Sequence, residues 1–234
     1  EAVFVQDLKS TKVLYDKNSK DTRPIASITK LMTALIVAEA GQDLQTTITI
    51  SDDDIDRLRH SRSRLAVGTT LNRDNMLLLA LMSSENRAAH ALARAMNDKA
   101  RELGMRHSRF VDPTGLSADN VSTPRDLIKL LKAVNENPLI QRYTVNERHQ
   151  VKLKNGRALV YNNTNRLVKN DDWAVQLSKT GFINEAGRCL VMVTRIDGRD
   201  VAMVFLNSQG RYSRIGDAVR VRNYLEKNIN LAML

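Results

Sequence analysis

The order of predicted secondary structure constrains the fold most, because strand-like segments occupy both ends of the chain and helical segments occupy its middle. Helical patterns run from residue 25 to about 137, and one more closes the chain near 215–228. Strand-like runs are predicted at 2–7, 12–15, 150–153, 175–178, 189–196 and 201–207, and apolar and polar residues alternate in the first two and just before residue 179. Asp197-Gly198 predicts a tight turn between the last two strands.

This order predicts an α+β fold, in which an antiparallel sheet is flanked by helices and the helical middle of the chain forms an inserted subdomain. The sheet subdomain with its C-terminal helix would comprise residues 1–22 and 148–234, and the helical subdomain would comprise residues 23–147. A chain of 234 residues is long enough to bury such a core. A binding site is expected in the cleft between the two subdomains.

The predicted helix at 25–41 carries a serine and a lysine one turn apart, with Pro24 before it and Gly41 at its end. The segment is apolar on almost every face, which is typical of a buried helix. Ser27 and Lys30 share one helical face at about 5–6 Å, and burial favours the neutral amine that accepts a serine proton. The alternative is a surface lysine whose amine reaches solvent from a half-buried helix.

Two further motifs follow along the chain. Ser84-Glu85-Asn86 lies between two helical patterns, where the alternative role of Ser84 is a helix N-cap. Lys179-Thr180-Gly181 follows an alternating run, and its glycine lets a ligand approach the backbone closely, although an ordinary strand end is the alternative. In this order, the motifs S-x-x-K, S-x-N and K-T-G are the signature of a serine acyl-transferase that uses lysine as its base.

Longer stretches of the sequence carry a resemblance to a known family. They are PIASITKLMT (24–33), LMSSENRAA (81–89), FVDPTGL (110–116), KTGF (179–182) and NEAG (184–187). Together they resemble the low-molecular-mass, penicillin-binding D-alanyl-D-alanine peptidases, and they are most similar to the endopeptidase members. The resemblance runs nearly from end to end and implies the same α+β layout. The chain is shorter between Arg87 and Gly104, where family members usually carry a Gly-rich loop.

The resemblance implies roles for individual residues. Ser27 is the nucleophile and Lys30 its base, while the backbone amides of Ser27 and Phe182 hold the oxyanion. Ser84 is a proton relay, and Asn86 orients Lys30. Lys179 is a positive charge that lowers the pKa of Lys30, and Gly181 is a place of close backbone approach. Thr180 and Arg214 are ligands of the substrate carboxylate. For Arg214, a solvated surface arginine is the alternative.

The expected function is that of a hydrolase acting on peptidoglycan peptides, an endopeptidase that cleaves D-alanyl cross-links and is acylated by β-lactam antibiotics on Ser27. The alternatives are a D-Ala-D-Ala carboxypeptidase, a β-lactamase, and a non-catalytic sensor of penicillin or peptidoglycan. The resemblance also implies export to the periplasm. Because residue 1 opens almost directly on a strand, with no signal peptide, the chain is interpreted as a mature or trimmed form.

Composition narrows the range of partners. Since 36 basic and 26 acidic residues give a net charge of +10, the protein is expected to meet anionic polymers, of which cell wall and nucleic acid are examples. Nucleic acid is not an expected partner, because aromatic residues make up only 4% of the chain and no nucleic-acid-binding motif occurs. No apolar stretch reaches the roughly 18 residues of a membrane-spanning helix, so no integral membrane segment is expected.

Cysteine and histidine usage bears on disulfides and cofactors. Cys189 is the only cysteine and lies in an apolar run, so the sequence predicts a buried thiol and no internal disulfide. The four histidines, His60, His90, His107 and His149, show no close ligand spacing. No metal site and no other cofactor are therefore expected.

Overall fold

The computed structural model describes residues 1–56, 61–92, 96–153, 156–210 and 212–232. Its strands, in chain order, are β1 Ala2–Asp7, β2 Val13–Lys17, β3 Arg23–Pro24, β4 Thr47–Thr49, β5 Thr70–Asn72, β6 Val121–Ser122, β7 Arg148–Lys152, β8 Ala158–Asn162, β9 Ala174–Ile183, β10 Gly187–Ile196 and β11 Arg199–Ser208. Its α-helices are α1 Thr29–Glu39, α2 Arg73–Met82, α3 Asn86–Leu92, α4 Met96–Glu102, α5 Pro124–Asn135, α6 Pro138–Thr144 and α7 Ser213–Ala232.

Five strands form the main antiparallel sheet, in the order β2-β1-β11-β10-β9. The chain ends thus meet in one sheet, with β1 paired to β11 over its whole length. The predicted turn between β10 and β11 is confirmed, since Ile196 pairs with Arg199 and the two residues between them have φ of 46° and 73°. The strand after residue 12 begins at Val13 and ends at Lys17, slightly later than the prediction. The predicted α+β fold is confirmed.

The main sheet separates two apolar layers, because alternate side chains of each strand point to opposite faces. Val191 and Val204 lie in the layer that packs against the helical part of the chain. Leu190 and Phe205 lie in the other layer, which α7 covers through residues such as Leu225. Strand β9 is at one edge of the sheet and contacts the turn that precedes α1. This edge contact brings the K-T-G motif to the S-x-x-K motif.

The helical part differs from its prediction in detail. The predicted helix at 25–41 begins as a 3-10 turn, Ala26–Ile28, and continues as α1. The single helix predicted for 86–103 is two helices, α3 and α4, and residues 93–95 between them, within the stretch expected to be shortened, lie outside the described part. Helices extend to Thr144, beyond the predicted end near 137. Among the described residues, no helix is both long and apolar enough to cross a bilayer.

The strand predicted at 150–153 belongs to a separate hairpin. It is β7, which pairs with β8 in a two-stranded sheet of its own, and β8 contacts α2. The division of the chain at residues 22 and 148 into two subdomains stays a prediction.

Candidate active site

Ser27 lies in the 3-10 turn between β3 and α1, where two glycines press against the backbone. Ala26 has a φ of 48°, which is unfavourable for a residue with a Cβ. A Cβ on Gly115 would lie 1.9 Å from the carbonyl oxygen of Ala26, and one on Gly181 would lie 3.0 Å from the Ser27 nitrogen. Only glycine fits at the first of these positions. At Gly181 the close neighbour is the backbone of Ser27, and the approach of a ligand to this glycine stays a prediction.

Lys30 is fully buried one turn after Ser27, so the alternative of a surface lysine is wrong. Its Nζ lies 3.1 Å from the Ser27 Oγ, 2.7 Å from the Asn86 Oδ1 and 2.7 Å from the Thr114 carbonyl oxygen. The last two oxygens are amide acceptors that take a hydrogen in either protonation state of the amine. In the neutral amine they occupy both hydrogens, which leaves the nitrogen lone pair facing the Ser27 hydroxyl.

The pKa of Lys30 is low enough for this neutral form to be common. Burial lowers the pKa from the ordinary 10.5 to about 7, against the opposing charges of Asp112, Glu85 and Asp56. At pH 7 about half of the molecules then hold a neutral amine, compared with about 0.03% at the ordinary lysine pKa. Desolvation alone therefore makes Lys30 a competent base for the Ser27 proton.

Ser84 and Lys179 form a second pair beside the first. The fully buried Lys179 donates from Nζ to the Ser84 Oγ at 3.0 Å and to the Thr180 carbonyl oxygen at 2.9 Å. Burial, the nearby Lys30 and Arg214 hold the pKa of Lys179 well below its ordinary value. The two lysine amines repel each other, so each charge disfavours protonation of the other, and burial is the first cause of both lowered pKa values. The Ser84 hydroxyl faces a lysine amine, as a member of a site would.

Asn86 is held in place by residues that the motif did not include. Its Nδ2 donates to the Ser61 Oγ at 2.9 Å, and the Ser61 backbone N–H donates to the Asp56 carboxylate at 2.8 Å. The Asn86 side chain therefore bridges Lys30 and the loop that carries Ser61. No spacing in the sequence links Ser61 to Asn86, because the two residues are 25 positions apart and meet only in the folded chain.

Asp112 organises the turn that supplies the Thr114 carbonyl. Its carboxylate accepts hydrogen bonds from the backbone N–H groups of Thr114, Gly115 and Ser117 at 2.7, 2.9 and 3.0 Å, and from the Asn120 Nδ2 at 2.7 Å. Although burial opposes ionisation, the hydrogen bonds from Thr114, Ser117 and Gly115 lower the pKa of Asp112. The sequence Asp-Pro-Thr-Gly is a turn signal, but it does not indicate that the turn serves the lysine.

The turn is also tied to the nucleophile helix. The Thr33 hydroxyl donates to the Pro113 carbonyl oxygen at 2.8 Å, one turn beyond Lys30 on α1. The Asp112 turn is thus fixed at three places, namely its own carboxylate, the contact of Gly115 with Ala26, and this bond to α1. It presents the Thr114 oxygen to Lys30 as a rigid acceptor.

The remaining predicted residues line the edge of β9. Thr180 is buried and donates from Oγ1 to the Thr164 hydroxyl at 2.7 Å. Phe182, the residue after the K-T-G motif, is 50% exposed. Arg214 reaches from α7 to the strand, where Nη1 donates to the Gly181 carbonyl oxygen at 3.0 Å. Arg214 is therefore half-buried beside the site, and the alternative of a fully solvated arginine is wrong.

The described residues contain no cluster of three or more His, Cys, Asp or Glu side chains suited to a metal ion. The Cys189 thiol is buried, as predicted, and burial raises its pKa to about 11. His60 lies outside the described residues. The described site thus consists of hydroxyl, amine, amide and guanidinium groups, which suit acyl transfer to a serine.

Known proteins of similar sequence agree with this chemistry. A D-alanyl-D-alanine endopeptidase of Pseudomonas aeruginosa is 44% identical over 96% of this chain and 76% of its own length. One of Escherichia coli is 43% identical over the same shares of the two chains. The expected similarity to endopeptidases of the penicillin-binding protein 7 type is confirmed.

Solved structures agree as well. The crystal structure of a Streptomyces DD-transpeptidase superposes with a TM-score of 0.86 at 26% identity, covering 95% of each chain. A penicillin-binding protein of Listeria monocytogenes in its cefotaxime-bound form superposes with a TM-score of 0.82 at 27% identity, also over 95% of each chain. The sequence profile described as D-alanyl-D-alanine carboxypeptidase matches residues 1–210. The chain therefore belongs to the D-alanyl-D-alanine carboxypeptidase family of peptidases.

Proposed function

We propose that this protein is a serine D-alanyl-D-alanine endopeptidase that hydrolyses peptide cross-links of peptidoglycan through an acyl-enzyme on Ser27. The observation that carries the proposal is the buried Lys30 amine, whose pKa is lowered to about 7 and whose Nζ lies 3.1 Å from the Ser27 Oγ. The endopeptidase names of the relatives from Pseudomonas aeruginosa and Escherichia coli support cleavage of cross-links over removal of a terminal residue.

Acylation begins when the Ser27 oxygen attacks the carbonyl carbon of a D-alanyl peptide bond and its proton moves to the Lys30 nitrogen. The new C–O bond leaves a negative charge on the substrate oxygen, which the backbone amides of Ser27 and Phe182 hold. Loss of one such donor costs on the order of 100- to 1000-fold in rate in other acyl-transfer enzymes. Asn86 keeps Lys30 in position through the 2.7 Å hydrogen bond between them.

The tetrahedral intermediate collapses as the C–N bond breaks and the leaving nitrogen takes the proton that Lys30 received from Ser27, which returns the amine to its neutral form. Ser84 relays this proton, and its hydroxyl is held for that role by the 3.0 Å hydrogen bond from the Lys179 Nζ. Lys179 supplies positive potential and a hydrogen bond that orient the Ser84 oxygen. Thr180 and Arg214 bind the carboxylate of the residue that departs.

Deacylation repeats these steps with water in place of the serine. A water molecule gives a proton to Lys30 while its oxygen attacks the ester carbonyl, and the proton then returns to the Ser27 oxygen as the ester C–O bond breaks. A β-lactam acylates Ser27 in the same way when its ring amide opens. The cefotaxime-bound relative from Listeria monocytogenes supports this inhibition.

The substrate sets the location and the partners. Peptidoglycan peptides are the natural substrate, and they lie outside the cytoplasmic membrane, so we propose a periplasmic enzyme. The net charge of +10 favours encounters with this anionic polymer. Neither nucleic acid nor a cofactor has a part in the proposed reaction.

Labelling and product analysis test the proposal with one matched variant. The wild-type protein and Ser27→Ala are incubated with a fluorescent penicillin and, separately, with purified cross-linked muropeptide dimers. We expect covalent labelling and conversion of dimers to monomers by the wild type only. Labelling that persists in Ser27→Ala would remove Ser27 as the nucleophile. Free D-alanine without monomers would identify a carboxypeptidase, and rapid turnover of the drug would identify a β-lactamase.

A further inference from the structure

A second arginine lies beside Phe182 and Arg214, on β10, the strand that pairs with β9. Arg188 of β10 pairs directly with Phe182 of β9, and paired residues of antiparallel strands project to the same face of a sheet. The Arg188 guanidinium lies 4.7 Å from the centre of the Phe182 ring, and Phe182 is half exposed. This stacking fixes the cation beside the residue whose amide is proposed to hold the oxyanion.

Arg188 and Arg214 are anchored to consecutive residues of β9. Arg214 donates to the carbonyl oxygen of Gly181, and Arg188 stacks on the ring of Phe182, the next residue. The two cations influence each other, since burial and then the charge of Arg188 lower the pKa of Arg214. Two neighbouring guanidinium groups repel each other unless an anion lies between or beside them.

No such anion is supplied by the described part of the chain. Other arginines are compensated by carboxylates, such as Arg195 by Asp200 at 3.0 Å and Arg125 by Asp16 at 2.7 Å. Within the described residues, neither Arg188 nor Arg214 forms an ion pair, and the Nε of Arg214 is buried without a hydrogen-bond partner. A guanidinium group offers five N–H donors, so this pair has both charge and donors left for a ligand.

The position of the pair indicates which ligand. If the Phe182 amide holds the oxyanion, the scissile carbonyl lies within about 3 Å of that backbone. One further residue of substrate extends the chain by about 3.5 Å, which is within reach of an arginine side chain on the neighbouring strand. A carboxylate on the residue that supplies the leaving amine therefore falls near both guanidinium groups.

We propose that Arg188 is a specificity-determining residue that, together with Arg214, selects cross-links in which the residue supplying the leaving amine carries a free carboxylate. This inference rests on the proposed endopeptidase function. An amidated residue at the same place keeps the shape of the substrate but loses the charge. The pair of arginines discriminates the two forms, because charge-assisted hydrogen bonds are about twice as strong as neutral ones.

The test uses two synthetic cross-linked dimers that differ only in whether this carboxylate is free or amidated. The variants are Arg188→Gln, Arg188→Lys and the control Arg195→Gln, which removes one charge from the other end of β10. We expect Arg188→Gln to lose about tenfold in kcat/KM for the carboxylate dimer, mainly through KM, with little change for the amidated dimer. Arg188→Lys should recover part of the loss, and Arg195→Gln should match the wild type.

Binding measured without turnover separates this inference from the proposed function. Calorimetric titration of each dimer into Ser27→Ala and into Ser27→Ala/Arg188→Gln gives the carboxylate preference even if no dimer is hydrolysed. We expect the first protein to prefer the free carboxylate and the second to lose about tenfold of that preference. An equal effect of Arg188→Gln on both dimers, or no effect on either, would overturn the role of Arg188.

Discussion

The substitution Asn86→Asp tests directly whether the neutral Lys30 amine is the base. The Asn86 Oδ1 lies 2.7 Å from the Lys30 Nζ, so the nearly isosteric aspartate places a carboxylate in hydrogen-bonding contact with the amine. An opposite charge at this distance shifts a pKa by about 1–3 units toward the charged form. The Lys30 pKa would rise from about 7 to roughly 8–10, with the shape of the site preserved.

The effect on rate follows from the fraction of neutral amine. In the wild type, the rate of acylation should rise with pH through about 7 and reach a plateau above it. At pH 5 this rate should be about 100-fold below the plateau. In Asn86→Asp the midpoint moves up by the same 1–3 units, so the rate at pH 7 falls by about 5- to 500-fold. Because only the protonation equilibrium is changed, the rate should return toward the wild-type plateau at alkaline pH.

The assay is the rate of covalent labelling of Ser27 by a fluorescent penicillin, measured in single-turnover conditions between pH 5 and 10. Asn86→Ala is the control, since it removes the same hydrogen bond without adding a charge, and its midpoint should not rise. A uniform loss of rate in Asn86→Asp, with the midpoint still at the wild-type pH, would refute the assignment of Lys30 as the titrating base.

Three further predictions concern stability. Gly115→Ala should lower the free energy of unfolding by at least about 3 kcal/mol, measured by thermal unfolding, because the new Cβ would lie 1.9 Å from a backbone carbonyl oxygen. The control Gly198→Ala, with a similar positive φ but open space around it, should lower the same quantity by about 1–2 kcal/mol. Equal losses in the two variants would contradict the clash. Asp112→Asn should lower the free energy of unfolding by about 1–3 kcal/mol at pH 7. Because the pKa of Asp112 is lowered in the folded state, the difference in stability between this variant and the wild type should shrink as the pH falls below the ordinary pKa of 3.8. A difference that persists at such low pH would contradict the role of the carboxylate. Lys30→Met should show that the buried amine opposes folding, since between pH 7 and 10.5 the unfolded chain holds a proton on Lys30 that the native chain does not. The free energy of unfolding of the wild type minus that of Lys30→Met should therefore rise with pH by up to about 1.4 kcal/mol per pH unit. A difference that stays constant with pH in denaturant unfolding would argue against the lowered pKa.

The catalytic side chains of the site could be predicted from the sequence because residue type and spacing indicate their chemistry. Ser27 and Lys30 are one helical turn apart, and the apolar faces around them already indicate burial. The family resemblance implied that Asn86 orients Lys30, whereas the contact of Lys179 with Ser84 was not predicted. The last two strands of the main sheet were predictable from their apolar runs, whereas the strand predicted at 175–178 stopped short of β9, which continues through the K-T-G motif to Ile183.

Other parts of the site could not be predicted because they are backbone groups or depend on register. The Thr114 oxygen is a carbonyl that any residue could supply, and only the folded Asp112 turn brings it to Lys30. Arg188 acquires its place from the pairing of β10 with β9, which no local pattern specifies. The positive φ of Ala26 contradicts the local preference of alanine, and the tertiary contact with Gly115 overrides that preference.

Burial of Lys30 links the reactivity of the site to the integrity of the fold. The low pKa has desolvation as its first cause, so it exists only while α1, the Asp112 turn and the edge of β9 enclose the amine. In an unfolded or locally opened chain the amine returns to a pKa near 10.5, and its neutral fraction at pH 7 falls by about 1000-fold. Ser27 then lacks a base. The burial that costs the fold stability, by keeping the lysine uncharged, is therefore the same burial that lowers the Lys30 pKa and makes Ser27 reactive. A variant that recovers this stability by restoring the charge of Lys30 also makes Ser27 less reactive.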